Sequence, residues 1–190
     1  MTARSILVYL LNMYQEILKF WFQEIDPSQW WSKDKQIDRI ILERFSDIHT
    51  KAICCELFQW RKTAEGRLAE IIVLDQFSRN MFRNSALSFA NDSLALALAQ
   101  EAILLKVDQE LNVVQRSVLY LPFMHSESLK IHKIAMSLYK KNGIQSNLTF
   151  EVKHQKIIEK FGRYPHRNNT LGRISTEEEI QFLKQKGTGF

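Results

Sequence analysis

"RLAEIIVLDQFSRNMFR", residues 67–83, decides the fold. Leu68, Ile71, Leu74, Phe77 and Met81 recur at three- and four-residue steps, the period of one helix face turned toward a core. Asp75, Arg79 and Arg83 follow one another at i, i+4 and i+8, with Gln76 and Asn80 on the flank beside them. Five polar groups therefore project from one side of one helix. The plain use of such a row is a surface ion-pair ladder, worth a few tenths of a kcal/mol per pair. One aspartate cannot satisfy two arginines, however, and Gln and Asn add directed hydrogen bonds instead of charge. Both uses stay open.

The same period continues in both directions. Leu10, Tyr14, Ile17, Trp21 and Ile25 line one face of "LLNMYQEILKFWFQEI", which Asp26-Pro27 ends. From about Asp34 a second helix carries Ile37, Ile41, Phe45 and Ile48, and it either runs through Cys54 to Trp60 or breaks near His49. Gly66 precedes the central pattern. "NDSLALALAQEAILLK" (91–106) is rich in strong helix formers, with Asn91 or Asp92 as cap. "LNVVQRSVLYL" is stopped or kinked at Pro122. "ESLKIHKIAMSLYKKNG" ends with cations in its last turn and Gly143 just beyond. A further helix is predicted from Asn147 to Gly162, and a last one where Ser175–Glu178 or Thr176–Glu179 forms a capping box. No strand alternation competes. The expectation is an all-α protein of seven to eight helices in antiparallel hairpins, one domain over 1–190.

The bulk numbers fit that class. At 190 residues, 45% apolar and 25% charged, the chain can bury a core without a disulfide or metal. Cys54 and Cys55 are adjacent in an apolar helical stretch, which suits packing in a reducing compartment. "ILVYLL" (6–11) is too short for a membrane span and leads into no small-residue cleavage site, so a cytoplasmic location is expected. From Lys153 to Arg173 six cations face Glu159 alone, a balance of +5 that equals the chain's formal net charge. Such an excess favours anionic partners, although a solvated basic face would read the same way. Elsewhere the charges nearly balance and no helix carries a continuous basic stripe, which argues against nucleic acid. A membrane role lacks both a span and a basic amphipathic helix.

Three further stretches hold candidate chemistry. In "YLPFMHSE" (120–127), His125, Ser126 and Glu127 fall where a helix is expected to begin. Ser126 is there either a simple cap, or His125 and Glu127 serve an anion site or proton transfer. His154 shares a face with Phe150, Ile158 and Phe161, so it is either a satisfied core histidine or points into a cavity. "FGRYPHRNNTLGR" (161–173) is long and irregular for a compact helical chain, a length usual for functional or disordered loops. Phe161, Tyr164, Pro165 and Leu171 would anchor it, which holds Arg163, His166, Arg167, Asn168 and Arg173 in place. Arginine supplies a planar donor fork suited to phosphate or carboxylate.

"ILKFWFQE" (17–24), "RLAEIIVLDQFSRNMFR", "YLPFMHSE" and "FGRYPHRNNTLGRISTEEE" (161–179), in this order and spacing, closely resemble the bacterial family known as domain of unknown function 924. The resemblance covers about residues 16–184. It implies an all-helical, tetratricopeptide-repeat-like superhelical stack, and no reaction. Asp75, Gln76, Arg79, Asn80, Arg83, His125, Glu127, His154, Arg163, His166, Arg167, Asn168, Gly172 and Arg173 are its motif residues. Ser78 stands where the family usually has proline, Asn84 where it has glycine, and Asn169 where it has a small apolar residue.

These readings converge on one expectation. Asp75, Gln76, Arg79, Asn80, Arg83, Arg163, Arg167, Asn168 and Arg173 would form a pocket for a small anionic molecule or an acidic peptide end. The rival is a hydrolase or group-transfer enzyme on an anionic substrate, with His125, Glu127, His154 and His166 as acids or bases and Asp75 or Glu127 orienting one of them. A peptide-binding helical scaffold is the third class, and a structural lock fastening the last loop onto the central helix the fourth. The chain has no Gly-rich phosphate loop, G-x-S-x-G elbow or H-E-x-x-H pattern, so no metal or cofactor is specified. The sequence sets no oligomeric state.

Overall fold

A computed structural model describes residues 13–185. The described residues form nine helices and no strand. Helix α1 covers 13–24, its last turn, Phe20–Glu24, being a wide π turn. The predicted start near Leu10 and the apolar 6–11 run lie outside the described residues. Asp26 closes the next turn, Pro27–Gln29, by accepting the Ser28 N–H.

Helix α2 is Lys35–Ile53, capped by Asp34, whose carboxylate accepts from the Gln36 and Ile37 N–H groups. It neither breaks at His49 nor reaches Trp60. Cys55 takes a left-handed φ of 58° and turns the chain away. Both cysteines are therefore exposed, against the expected packing role; Trp60 is core all the same, in the following 3-10 turn Phe58–Lys62.

The stretch that sets the class is α3, built from Ala64–Ile72, a π turn Val73–Phe77 and Ser78–Met81. It starts before Gly66, with Thr63 as cap. Gly66 sits inside the first turn, where a Cβ would lie 2.1 Å from the Trp60 carbonyl oxygen, a distance no side chain tolerates. Asn84, just past α3, takes φ 65°, the left-handed conformation for which glycine is the usual residue.

Helix α4 is Asp92–Leu104. Helices α5 (Val113–Leu119) and α6 (Leu121–Met124) take the place of one predicted helix. Pro122 has no N–H to continue the ladder, so a new helix opens around it, giving nine helices where seven or eight were expected. Helices α7 (Leu129–Asn142) and α8 (Gln145–Phe161) make an antiparallel hairpin around Gly143, which has φ 84°. Helix α8 opens at Gln145, not Asn147. Helix α9 is Glu177–Leu183, and of the two capping boxes Thr176–Glu179 is the one formed.

The main core runs from α1 through α7. At its centre the Phe77 ring stacks on Phe45 at 5.1 Å and touches Phe20 and Trp21 at about 6 Å, tying α1, α2 and α3 together. Burial of such a ring contributes about 2–3 kcal/mol. A smaller cluster of Ile157, Ile158 and Tyr164, packed with Leu129, Phe161 and Phe182, fastens α9 and the preceding loop to α7 and α8. No described helix is long and apolar enough to cross a membrane.

Candidate functional site

The polar side of α3 faces a cavity of about 520 Å3, walled also by the 30–33 turn, Phe89, the end of α6, α8 and the 162–176 loop. That volume lies in the range of small-ligand pockets. Gln76, Arg79, Asn80 and Arg83 reach it together. The π turn that contains Asp75 and Gln76 contributes to this, because one extra residue per turn shifts the polar row relative to the apolar stripe.

Asp75 is buried behind the wall. Its carboxylate meets His125 Nδ1 at 2.8 Å, accepts from Gln76 Nε2, and lies 3.2 Å from Arg79 Nη1. Burial opposes ionisation, yet the Arg79 cation and the His125 and Gln76 hydrogen bonds hold the carboxyl well below its usual range. His125 goes the other way: burial, helped by Arg79, outweighs Asp75 and lowers its pKa, so the imidazole is neutral at neutral pH. The Asp75 anion is thus balanced by Arg79 and by a neutral imidazole N–H donor, not by an imidazolium.

The arginines are each held from behind. Arg79 donates both Nη groups to Asp92, at 2.9 and 3.0 Å. Arg167 donates to Asp92 at 3.1 Å and to the His125 carbonyl at 3.0 Å, and its guanidinium lies over the Phe89 and Tyr164 rings. Arg83 and Asn80 both turn to Asp38, Arg83 through Nε at 2.7 Å and Asn80 at 2.8 Å. The doubt over one aspartate serving two arginines is settled by two further acids. Asp38 lies 45 residues from Arg83 in the chain, and no local pattern could have linked them.

His154 and His166 line the same cavity. His154 Nδ1 donates to the Phe150 carbonyl at 2.8 Å, and burial pulls its pKa down to about 3. Phe150, expected on the core face with it, is instead 45% exposed and borders the cavity. Burial and then Arg167 hold His166 near 4. Sequence reading missed the aromatic walls Trp30, Trp31 and Phe89, and Lys33 at the rim; the adjacent tryptophans followed closely by a lysine were the available signal.

Besides Asp75, four of the expected site residues do not line this cavity. Arg163 makes a two-pronged pair with Glu179 at 2.7 and 2.8 Å, and Asn168, fully buried, donates to Ser175 and Glu179. Arg173 pairs doubly with Glu127 at 2.6 and 2.9 Å, and Glu127 also accepts the Tyr164 N–H at 2.7 Å. These groups bind the loop to itself and to its neighbours. The expected helix start at His125–Glu127 is absent too: His125 ends α6, and α7 begins only after Ser128. Glu127 instead borders a second cavity of about 300 Å3, separated from the first by Phe89, His125 and Arg167. Among the described residues, no group of three or more His, Cys, Asp or Glu is placed to hold a metal ion.

Fold and site together define an all-helical protein whose central helix presents a row of backed arginines to an open cavity. The chain belongs to the family described as bacterial protein of unknown function (DUF924), whose model matches residues 17–187. It is also similar, at 38% identity and a TM-score of 0.87, to the solved structure of a protein of unknown function, ATU0120, from Agrobacterium tumefaciens. The match covers 91% of this chain and 97% of that one. No curated protein matches the chain.

Proposed function

We propose that the 520 Å3 cavity binds a small organic anion, carrying phosphate or carboxylate, with its less polar part against the aromatic walls. One observation carries this reading. Lys33, Arg79, Arg83 and Arg167 line the cavity, while among the described residues no carboxylate does. Asp38, Asp75 and Asp92 stand behind the arginines, fix their forks and leave the lined surface cationic. Fixed guanidinium groups recognise anions without losing side-chain freedom on binding. Arg167 adds a buried Nε–H that has no partner among the described residues.

Thermal-shift titration tests the proposal, using inorganic phosphate, pyrophosphate, sugar phosphates and dicarboxylates at physiological ionic strength. An anion at 100 times its Kd stabilises by about 2.7 kcal/mol, roughly 5–10 °C for a domain of this size. The expected result is a selective rise for at least one of these anions that Arg167→Ala abolishes. A flat response across the panel, or a rise that Arg167→Ala leaves intact, overturns the reading.

A further inference from the structure

We infer that His125 is a general base, which takes a proton from water or a hydroxyl group as that oxygen attacks an ester of the anion bound in the cavity. The inference rests on the anion-binding reading, which supplies the substrate class, and adds a reaction to it.

Hydrogen-bond logic fixes the chemistry of the ring. Asp75 is ionised and can only accept, so the 2.8 Å contact requires a proton on His125 Nδ1. A neutral imidazole carries one N–H, so Nε2 bears the lone pair. Among the described residues Nε2 has no hydrogen-bond partner, although the ring lines the cavity. Arg167 Nη2 meanwhile holds the His125 backbone carbonyl at 3.0 Å and fixes the ring's base. An ionised, buried acid behind one nitrogen and an open lone pair on the other is the arrangement that general-base histidines use. Asp75 acts through His125 and is a positioning residue; Glu127, the other acid weighed for this part, is engaged by Arg173.

The step balances on this chain's own groups. The O–H proton passes to Nε2, and the oxygen forms a bond to the electrophilic carbon or phosphorus. The ester bond breaks with its electron pair on the leaving oxygen. The imidazolium, stabilised by Asp75, then returns the proton to that oxygen or to water, and His125 is neutral again. The cations lining the cavity offset the charge that develops on the reacting group.

The charged and titratable groups facing His125 are Asp75 and Arg79 from α3, Asp92 from α4, His154 from α8, and His166 and Arg167 from the loop. Burial is the largest of these influences and, with Arg79, outweighs Asp75, so the imidazole pKa lies below its ordinary value.

Two measurements test the inference on the full chain. In the first, p-nitrophenyl phosphate and mono-p-nitrophenyl succinate are offered as anionic esters, and released p-nitrophenolate is followed from pH 4.5 to 8. One of the two is expected to turn over, with a rate that falls on the acid side with a midpoint below 6.5. His125→Ala should cut that rate about 100-fold or more. His125→Ala should also retain the phosphate-induced rise in melting temperature. In the second, diethyl pyrocarbonate, which acylates neutral imidazole, is applied to wild type and the sites are read by mass spectrometry. His125 is expected to be modified at pH 6, and inorganic phosphate is expected to slow it.

Turnover that survives His125→Ala, or no turnover of either ester, overturns the inference. So does an unmodified His125 under conditions that modify all histidines of the urea-unfolded chain. A retained phosphate shift beside either result leaves the anion reading standing. A flat response of wild type across the whole anion panel removes that reading instead.

Discussion

The cavity wall and the loop lock use the same residue types to opposite ends. In the wall, Arg79, Arg83 and Arg167 have their acids behind them, and their other surfaces line an open volume. In the lock, Arg163 faces Glu179 and Arg173 faces Glu127, each two-pronged, and Asn168, Tyr164 and Thr176 also donate to these two acids. In the lock each guanidinium meets its carboxylate face-on, although Arg173 Nε and Asn168 Oδ1 have no partner among the described residues; in the wall the carboxylates stand on the far side from the cavity. Identical arginine-rich sequence therefore says little about binding until the position of the counter-charges is known. A carboxylate in front of an arginine makes a fastening, and one behind it leaves the guanidinium's outer face on the cavity.

Acidification should separate the two regions most sharply. The wall histidines are held neutral, His166 near 4 and His154 near 3, whereas an unfolded histidine titrates at 6.5. Below pH 6.5 the unfolded chain binds protons that the native chain refuses, so stability falls as pH drops. At pH 5 the loss is about 2 kcal/mol for each of the two histidines, an upper bound. The lock behaves differently: Glu179, lowered by the Arg163 hydrogen bond to about 2, loses its contribution only below the ordinary 4.5. Urea unfolding from pH 7.5 to 5 should therefore show a slope that His154→Gln reduces and Glu179→Ala leaves unchanged.

Removing the hub of the lock comes next in size. Glu179→Ala strands Arg163, Asn168 and the Thr176 N–H, and should cost about 3 kcal/mol in urea unfolding at pH 7.5. It should leave the phosphate-induced rise in melting temperature intact, because none of these groups lines the cavity. Loss of that rise in Glu179→Ala would mean that lock and wall are one unit.

The smallest effect belongs to the exposed Arg39–Glu43 pair on α2, which stands in neither region. Arg39→Ala should leave the unfolding midpoint unchanged, as expected of a solvated i,i+4 pair. A measurable drop would show that ion pairing in this chain stabilises irrespective of burial, and the contrast of wall and lock would lose its basis.

Much of this molecule is set by local pattern. The 3.6-residue stripe through Leu68, Ile71, Leu74, Phe77 and Met81 determines that α3 is a helix packed against the core, because its apolar residues recur at helical spacing. Gly143 and Gly162 mark helix ends for an equally local reason, the left-handed backbone that α7 and α8 need there. The candidate residues are legible too, as polar groups out of place on helices or in a loop that apolar anchors hold still. Their division between cavity wall and fastening is not legible. It depends on Asp38, Asp92, Glu127 and Glu179, acids that local pattern does not join to their arginines and that tertiary packing brings within 3 Å. The sequence by itself determined an all-helical chain and the groups available for chemistry. The tertiary structure decided which arginines keep a free face and which histidine keeps an open lone pair, because both depend on charges that meet only when the helices pack.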